Sequence, residues 1–285
     1  EVVGKRNAIL AFSLTLTSLL CGQLLDRIPF PLNYQIVFAI GVWGAALSTY
    51  HLGKLKPLER LARRVQQPLR DLARPGLLRF VDSFRFPTGL RFLTRSGGKP
   101  LLRLDLLKSS FGLFMLAYYL FYTFQYTSIP ILPLFLVRDL RLSDGEISLG
   151  NALFYALMLL VSLGLRGISA RLGHRRVLVL GALFYGIYPL LNGLAHQADL
   201  YWVASILGGG MWALSNAGLT NRLMERVPKD DRPAHMALHN LALNLGILSG
   251  SLLGPLAADS LGLRGTMLLT AGLRFLGGVL LLIWG

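Results

Sequence analysis

Charged residues are scarce in this chain, and acidic ones most of all. Only 15% of its 285 residues are Asp, Glu, Lys or Arg, and 14 acidic residues stand against 29 basic ones. An ordinary soluble domain has about 25% charged residues. Cysteine is represented by Cys21 alone, which excludes an intramolecular disulfide and a cysteine-rich zinc site. With 53% hydrophobic residues, the composition is typical of a membrane protein.

Long apolar blocks stand where charge is missing. A membrane-spanning helix needs about 20 consecutive, mainly apolar residues. Eight blocks meet this requirement: 8–25, 33–51, 109–137, 147–165, 176–195, 200–220, 236–258 and 265–284. We therefore predict an all-α, polytopic transmembrane helix bundle with about eight spanning helices. Pro130 and Pro133 are expected to end or kink the third block near residue 129, because proline lacks a backbone donor.

Basic residues lie mostly on one side of the predicted membrane. If residue 1 is cytoplasmic and the spans alternate, 24 of the 29 Lys and Arg residues fall in cytoplasmic segments and four in outer loops, with Arg274 inside the last span. Cytoplasmic loops carry such an excess, so we predict a multi-pass protein of a bacterial cytoplasmic membrane with both termini cytoplasmic. Membrane lipids are the expected partner of this charge, and nucleic acid is not, because no basic stripe alternates with stacking aromatics.

The longest segment outside the spans is a predicted linker, residues 52–107. Its first part, KPLERLARRVQQPLRDLA, places leucine and valine on one helical face and arginine on the others, which is typical of a helix lying on the inner leaflet. The linker divides the chain into 1–51, with two spans, and 108–285, with six.

Three features of the chain resemble a major facilitator superfamily transporter. The first is the plan of two helices, a long basic loop and six more helices. The second is the loop RGISARLGHRRVLVLG, which is similar to the family's motif between the second and third helices of each half. The third is RVPKDDRPAHMALHNLALNLGILSGSLLGPLAADSLGLRG, which is similar to the loop and fifth helix of a half. The resemblance implies a fragment covering helices five to twelve, whose missing partner is the first four helices of the same protein.

The resemblance also implies a conformational gate in the first of these loops. Four residues match the motif: Arg171, Gly173, Arg175 and Arg176. The motif's Asp position is Ala170 here, and its first Gly position is Arg166. In the family, such basic inner loops form and break charge contacts that favour one conformational state.

Polar residues inside the spans are candidates for contact with a solute. The predicted substrate-cavity residues are Tyr118, Tyr122, Gln125, Tyr126 and Asn216. The four in the third span share one helical face, and the resemblance makes the third and sixth spans cavity-lining. Two alternatives stay open: an aromatic belt at the membrane interface for the tyrosines, and interhelical hydrogen bonding for Asn216.

Small residues recur at every fourth position of the seventh span. Gly246, Gly250 and Gly254 are predicted to let another helix approach closely. The sequence shows no paired carboxylates on a helix face, no metal-ligand spacing and no phosphate-binding glycine loop, so we expect no enzyme activity, cofactor or metal. The predicted function is secondary-active transport of a small solute by alternating access, with efflux as one direction, and with substrate and oligomeric state left open. The alternative is a non-transporting polytopic membrane protein, such as a scaffold or a membrane-enzyme subunit.

Overall fold

A computed structural model describes residues 2–54, 104–228 and 231–285 of the protein. These residues form helices and turns, without a strand, which confirms the predicted all-α class. The helices are α1 (Val2–Arg27), α2 (Leu32–Gly53), α3 (Ser110–Tyr126), α4 (Asp144–Leu172), α5 (His174–Phe184), α6 (Ile187–Leu194), α7 (Ala198–Arg226) and α8 (Arg232–Trp284), with short helical turns at Leu104–Lys108, Leu132–Leu134 and Phe135–Asp139. Nearly all of the predicted linker, including its amphipathic helix, lies outside the described residues.

Five helical segments of the described chain are long and apolar enough to cross a membrane. They are Ala8–Arg27, Leu32–Gly53, Asp144–Leu172, His174–Leu194 and Ala234–Trp284. The last has 51 residues, and Gly262 interrupts it with non-helical dihedral angles, φ 73° and ψ 169°. This break gives α8 two arms, 232–261 and 263–284, each of which contains one predicted span. Together with α3 and α7, helices therefore occupy all eight predicted blocks.

Two predicted spans differ in detail from the observed helices. Helix α3 ends at Tyr126, three residues before the predicted break. The block 176–195 is broken at Tyr185 and Gly186, so that α5 and α6 replace one continuous helix. Pro189 explains this break, because it cannot donate to the Tyr185 carbonyl as a helical residue would. The N–H of Tyr188 donates to that carbonyl instead, at 3.3 Å.

The largest hydrophobic core lies between α3, α5, α7 and the two arms of α8. Helix α3 packs along α8, and α7 packs against both α4 and α5. Central buried members of this core are Phe114, Tyr118, Phe121, Leu178, Leu219 and Leu281. The six blocks from α3 onward thus form one bundle with a shared interior.

Helix α1 joins this bundle chiefly through α4. Ala11 is fully buried in a cluster with Met158 of α4 and Ala213 of α7. Helix α2 is largely exposed, and its exposed apolar side chains include Phe38, Val42, Trp43 and Leu47. A helix in water rarely leaves such a continuous apolar surface uncovered, so this surface suits a lipid bilayer.

Candidate functional site

The predicted cavity residues of α3 fall into a buried pair and a half-buried pair. Tyr118 is fully buried, and its hydroxyl donates to the Leu219 carbonyl of α7 at 2.5 Å. Gln125 is only 3% exposed. Tyr122 and Tyr126 keep part of their surface accessible. The shared helical face therefore does not place all four residues in the same environment: the first two lie in the bundle core, and the other two lie at its edge.

The three predicted packing glycines lie against α3. A side chain at Gly246 would come within 2.8 Å of the Tyr122 Cβ, and one at Gly250 within 2.8 Å of the Tyr126 Cβ and into the Thr123 carbonyl oxygen. Gly254 makes the same kind of contact one turn further along α8. This glycine seam brings the α8 backbone next to both half-buried tyrosines.

Asn216, the predicted cavity residue of α7, is half-buried. Its carbonyl oxygen accepts a hydrogen bond from the Thr220 hydroxyl at 3.0 Å. One turn earlier, the Trp212 ring lies 5.4 Å from the Tyr185 ring. Partly accessible polar or aromatic groups are thus present on both α3 and α7.

The side chain of Arg274 is a buried cation beside α3, and the sequence alone did not indicate its partner. Arg274 is 2% exposed, and its Nη2 donates to the Gln125 carbonyl and the Ser128 hydroxyl, each at 2.8 Å. Its guanidinium lies 4.5 Å from the centre of the Tyr185 ring. Because α3 ends at Tyr126, the Gln125 carbonyl has no amide of its own helix to accept from, and a cation suits the negative end of the helix dipole.

This pairing satisfies Nη2 of an arginine inside a span, while its Nε and Nη1 are buried without an acceptor among the described residues. The prolines that follow α3 and the isolated charge in the last block are both visible in the sequence. Their contact is not, because the two positions are 149 residues apart. Arg274 is therefore a structural partner of a helix end rather than a side chain reaching out toward the membrane surface.

The predicted gate residues lie at the junction of α4 and α5. Gly173 separates the two helices with a positive φ of 76°, a conformation that glycine adopts without strain. Arg175 Nη2 donates to the Leu282 carbonyl near the end of α8 at 2.8 Å. Arg171 and Arg176 are exposed. The loop is thus tied to α8 through one of its three arginines.

At the opposite end of α4, polar contacts join this helix to α1 and α2. Asp26 accepts from the Gly145 N–H at 2.9 Å, and the Tyr34 hydroxyl donates to the Asp144 carboxylate at 2.9 Å. Gly22 of α1 lies so close to Ser148 of α4 that a Cβ on it would be 2.5 Å from the serine Cβ. Sequence analysis did not predict these contacts, although an acidic residue closing the first span is a visible signal.

Two residues at the start of α4 also cap its first turn. The Ser143 hydroxyl accepts from the Glu146 N–H, and the Glu146 carboxylate accepts from the Ser143 N–H. This capping box satisfies two of the free N–H groups at the helix start. Asp26 supplies a further acceptor, so the N-terminus of α4 is held from both sides.

Comparison with known proteins gives a family and two distant relatives. The model of the Major Facilitator Superfamily matches residues 114–285. A protein named D-xylose-proton symporter-like 3, chloroplastic, from Arabidopsis thaliana is 31% identical over 104 residues, which are 36% of this chain and 19% of that protein. Multidrug resistance protein 1 of Bacillus subtilis is 24% identical over 131 residues, which are 46% of this chain and 33% of that protein. The matched segments thus span a third or less of the relatives' own length.

Proposed function

Because the chain belongs to the major facilitator superfamily, we propose that it forms part of a secondary-active transporter that moves a small solute by alternating access. In this proposal α1 and α2 belong to one moving half, and α3 to α8 form the other half. Both termini face the cytoplasm, as the distribution of Lys and Arg indicates. The family consists of transporters rather than enzymes, in keeping with the absence of catalytic motifs in the sequence.

The contact between α1 and α4 is the observation that carries the proposal. Two halves that rock around a central site need an interface that packs closely and also comes apart. Small residues such as Ala11 and Gly22 provide the close packing. The polar contacts of Asp26 and Tyr34 with the start of α4 concentrate at one end of this interface, where a gate would open and close.

The accessible residues of α3 and α7 are the proposed contacts of the solute. Tyr122, Tyr126 and Asn216 keep exposed surface and offer hydroxyl and amide groups together with aromatic faces. Tyr118 and Gln125 act through the packing of α3 in this proposal, because the core already surrounds them. The names of the two relatives suggest two solutes to test, D-xylose and a drug-like compound.

The first experiment measures transport by the full-length gene product in proteoliposomes. Radiolabelled D-xylose and fluorescent ethidium are followed with and without an imposed pH gradient, and substitutions of Tyr122 and Asn216 by alanine are compared with the unchanged protein. We expect one solute to move in a gradient-dependent way and the alanine variants to lower its rate. Gradient-independent leakage equal to that of empty vesicles for both solutes would favour the non-transporting alternative.

A second experiment tests whether α1 and α4 must separate. Cysteines at Gly22 and Ser148, on a background with Cys21 replaced by serine, are oxidised to link the two helices; the pair must relax by about 1 Å to reach disulfide geometry. The matched control pairs Gly22→Cys with Leu149→Cys, which lies one residue further along α4 and is exposed. Oxidation should stop transport reversibly only in the first pair. Full transport through a cross-linked protein would contradict alternating access at this interface.

A further inference from the structure

A pocket of about 560 Å³ opens at the end of the bundle that carries the α4–α5 loop. Four elements form it: the end of α4, the start of α5, the end of α7 and the last turn of α8. Its apolar wall consists of Leu172, Val179, Leu180 and Leu282, and its polar wall consists of His174, Arg175, Arg176, Arg222 and Glu225. The pocket thus combines one apolar side with one basic side.

The basic wall has more positive charge than the described residues balance. Glu225 pairs with Arg222 at 2.8 Å, and it lies 4.0 Å from His174. Arg175 donates to the Leu282 carbonyl, and Arg226, next to the pocket, donates to the Gly285 carbonyl. Arg222 also donates to the Gly285 carbonyl, and the Arg226 guanidinium lies 4.8 Å from the centre of the Phe114 ring. Among the described lining residues, one carboxylate therefore faces three arginines.

Repulsion within this cluster is visible at Arg226, which lies beyond the predicted span 200–220. Burial, and then the positive charges of Arg222 and Arg175, lower the pKa of Arg226 below its ordinary value. The Nε of Arg222 is buried, and no acceptor among the described residues bonds to it. An added anion beside the accessible ends of these arginines would relieve the repulsion.

The start of α5 strengthens the case for an anion. Its first three residues, His174 to Arg176, are basic, and no side chain caps its free N–H groups. Cations are unfavourable at a helix N-terminus, where the free N–H groups and the helix dipole favour negative charge. The sequence therefore keeps cations where an anion, rather than a cation, would be stabilised.

We propose that this pocket binds a phosphate group, with the phosphate between Arg175 and Arg222. A phosphate can belong to an anionic phospholipid or to a soluble molecule. The apolar wall distinguishes the two sources, because Leu180 and Leu282 can pack along acyl chains but offer nothing to inorganic phosphate. Basic pockets between helices at the cytoplasmic side of a membrane commonly bind such headgroups. The site is separate from the solute contacts of α3 and α7, and it does not depend on the proposed transport.

Native mass spectrometry of the detergent-purified, full-length protein tests the site. Short-chain phosphatidylglycerol, short-chain phosphatidylcholine, glycerol phosphate and inorganic phosphate are titrated separately. We expect phosphatidylglycerol to bind tightest, with the double variant Arg175→Gln and Arg222→Gln weakening it about tenfold or more. The matched control Arg171→Gln removes an exposed charge from the same loop, outside the pocket, and should change binding by less than about twofold.

Each outcome decides the proposal. Equal affinity for glycerol phosphate and phosphatidylglycerol, lost in the double variant, would support the site and identify a soluble phosphate as its ligand. Phosphatidylcholine carries a phosphate whose charge the choline balances, so equal binding of the two lipids would overturn recognition of an anionic headgroup. Unchanged binding by the double variant would overturn the site itself. If the glutamine variant does not fold, Leu180→Glu places a negative charge at an exposed pocket position, and phosphatidylglycerol binding that survives this change would overturn the proposal equally.

Discussion

Replacing Arg274 by methionine should destabilise the bundle more than the same replacement at Arg264. The two arginines make similar contacts in different surroundings. Arg264 Nη1 donates to the Gly193 and Ala195 carbonyls at 2.8 and 2.7 Å, and its guanidinium lies 5.5 Å from the Phe135 ring. Arg274 makes two hydrogen bonds and one ring contact as well, but it is almost fully buried, whereas Arg264 is half-buried. Burial is therefore the main difference between them.

The expected loss at Arg274 is the balance of two opposing contributions. Two charge-assisted hydrogen bonds contribute about 1.5–3 kcal/mol each, and a desolvated cation–π contact about 2 kcal/mol. Against this, removing a charge from the apolar interior stabilises the folded bundle by about 2.5–3.5 kcal/mol on insertion scales. The free energy of unfolding should therefore fall by about 2–5 kcal/mol. At Arg264, water can replace the lost donor, so the fall should be about 0.5–1.5 kcal/mol.

The measurement is reversible unfolding in mixed micelles, followed by circular dichroism of the full-length protein. Arg274→Lys serves as a second variant, because its ammonium keeps the charge and N–H donors but loses the planar group over Tyr185. Its stability should lie between those of the parent and Arg274→Met. Equal losses for the methionine variants at 274 and 264, or a gain in stability at 274, would refute the view that Arg274 stabilises the end of α3.

Three further outcomes are expected from the described contacts. Gly250→Leu should lower the free energy of unfolding by about 3 kcal/mol or prevent folding, because the new side chain enters the α3 backbone. The control Gly272→Leu has open space around it and should change thermal unfolding little. Asp26→Ala should speed amide exchange at Gly145 and cost about 1 kcal/mol, because a helix-start acceptor is lost. Tyr118→Phe should cost about 1 kcal/mol in the same unfolding assay, through its lost hydroxyl contact.

The sequence predicts the number and place of the helices well, because a spanning helix requires a long apolar block and little else. Breaks inside the blocks are harder to predict. Pro189 divides one block and Gly262 separates two, but the prolines after α3 follow a helix that already ends at Tyr126. A proline or glycine indicates that a helix changes near it, whereas the residue at which the last hydrogen bond forms depends on tertiary contacts.

The candidate site is less predictable, because periodicity shows which residues share a face and not which helix that face meets. Tyr118 and Tyr122 share a face, yet one is enclosed by α7 and α8 and the other remains accessible. The contacts of Arg274 with Gln125 and of Asp26 with Gly145 join residues 149 and 119 positions apart. Such pairs become visible only when the packing of the helices is known.

The interface of α1 and α2 with α4 differs in strength from the interior of the six-block bundle. Inside the bundle, the glycine seam and the buried Arg274 make separation of helices costly. At the interface, Asp26 and Tyr34 make the polar contacts with the start of α4 that the described residues show, and both side chains are exposed. Contacts of this kind contribute about 0.5–1.5 kcal/mol each, which is less than the roughly 5.5 kcal/mol that reverses a 1:99 equilibrium between two states. In the proposed transport cycle, these polar contacts therefore add little to the cost of separating α1 from α4, and the close packing at Ala11 and Gly22 accounts for the rest.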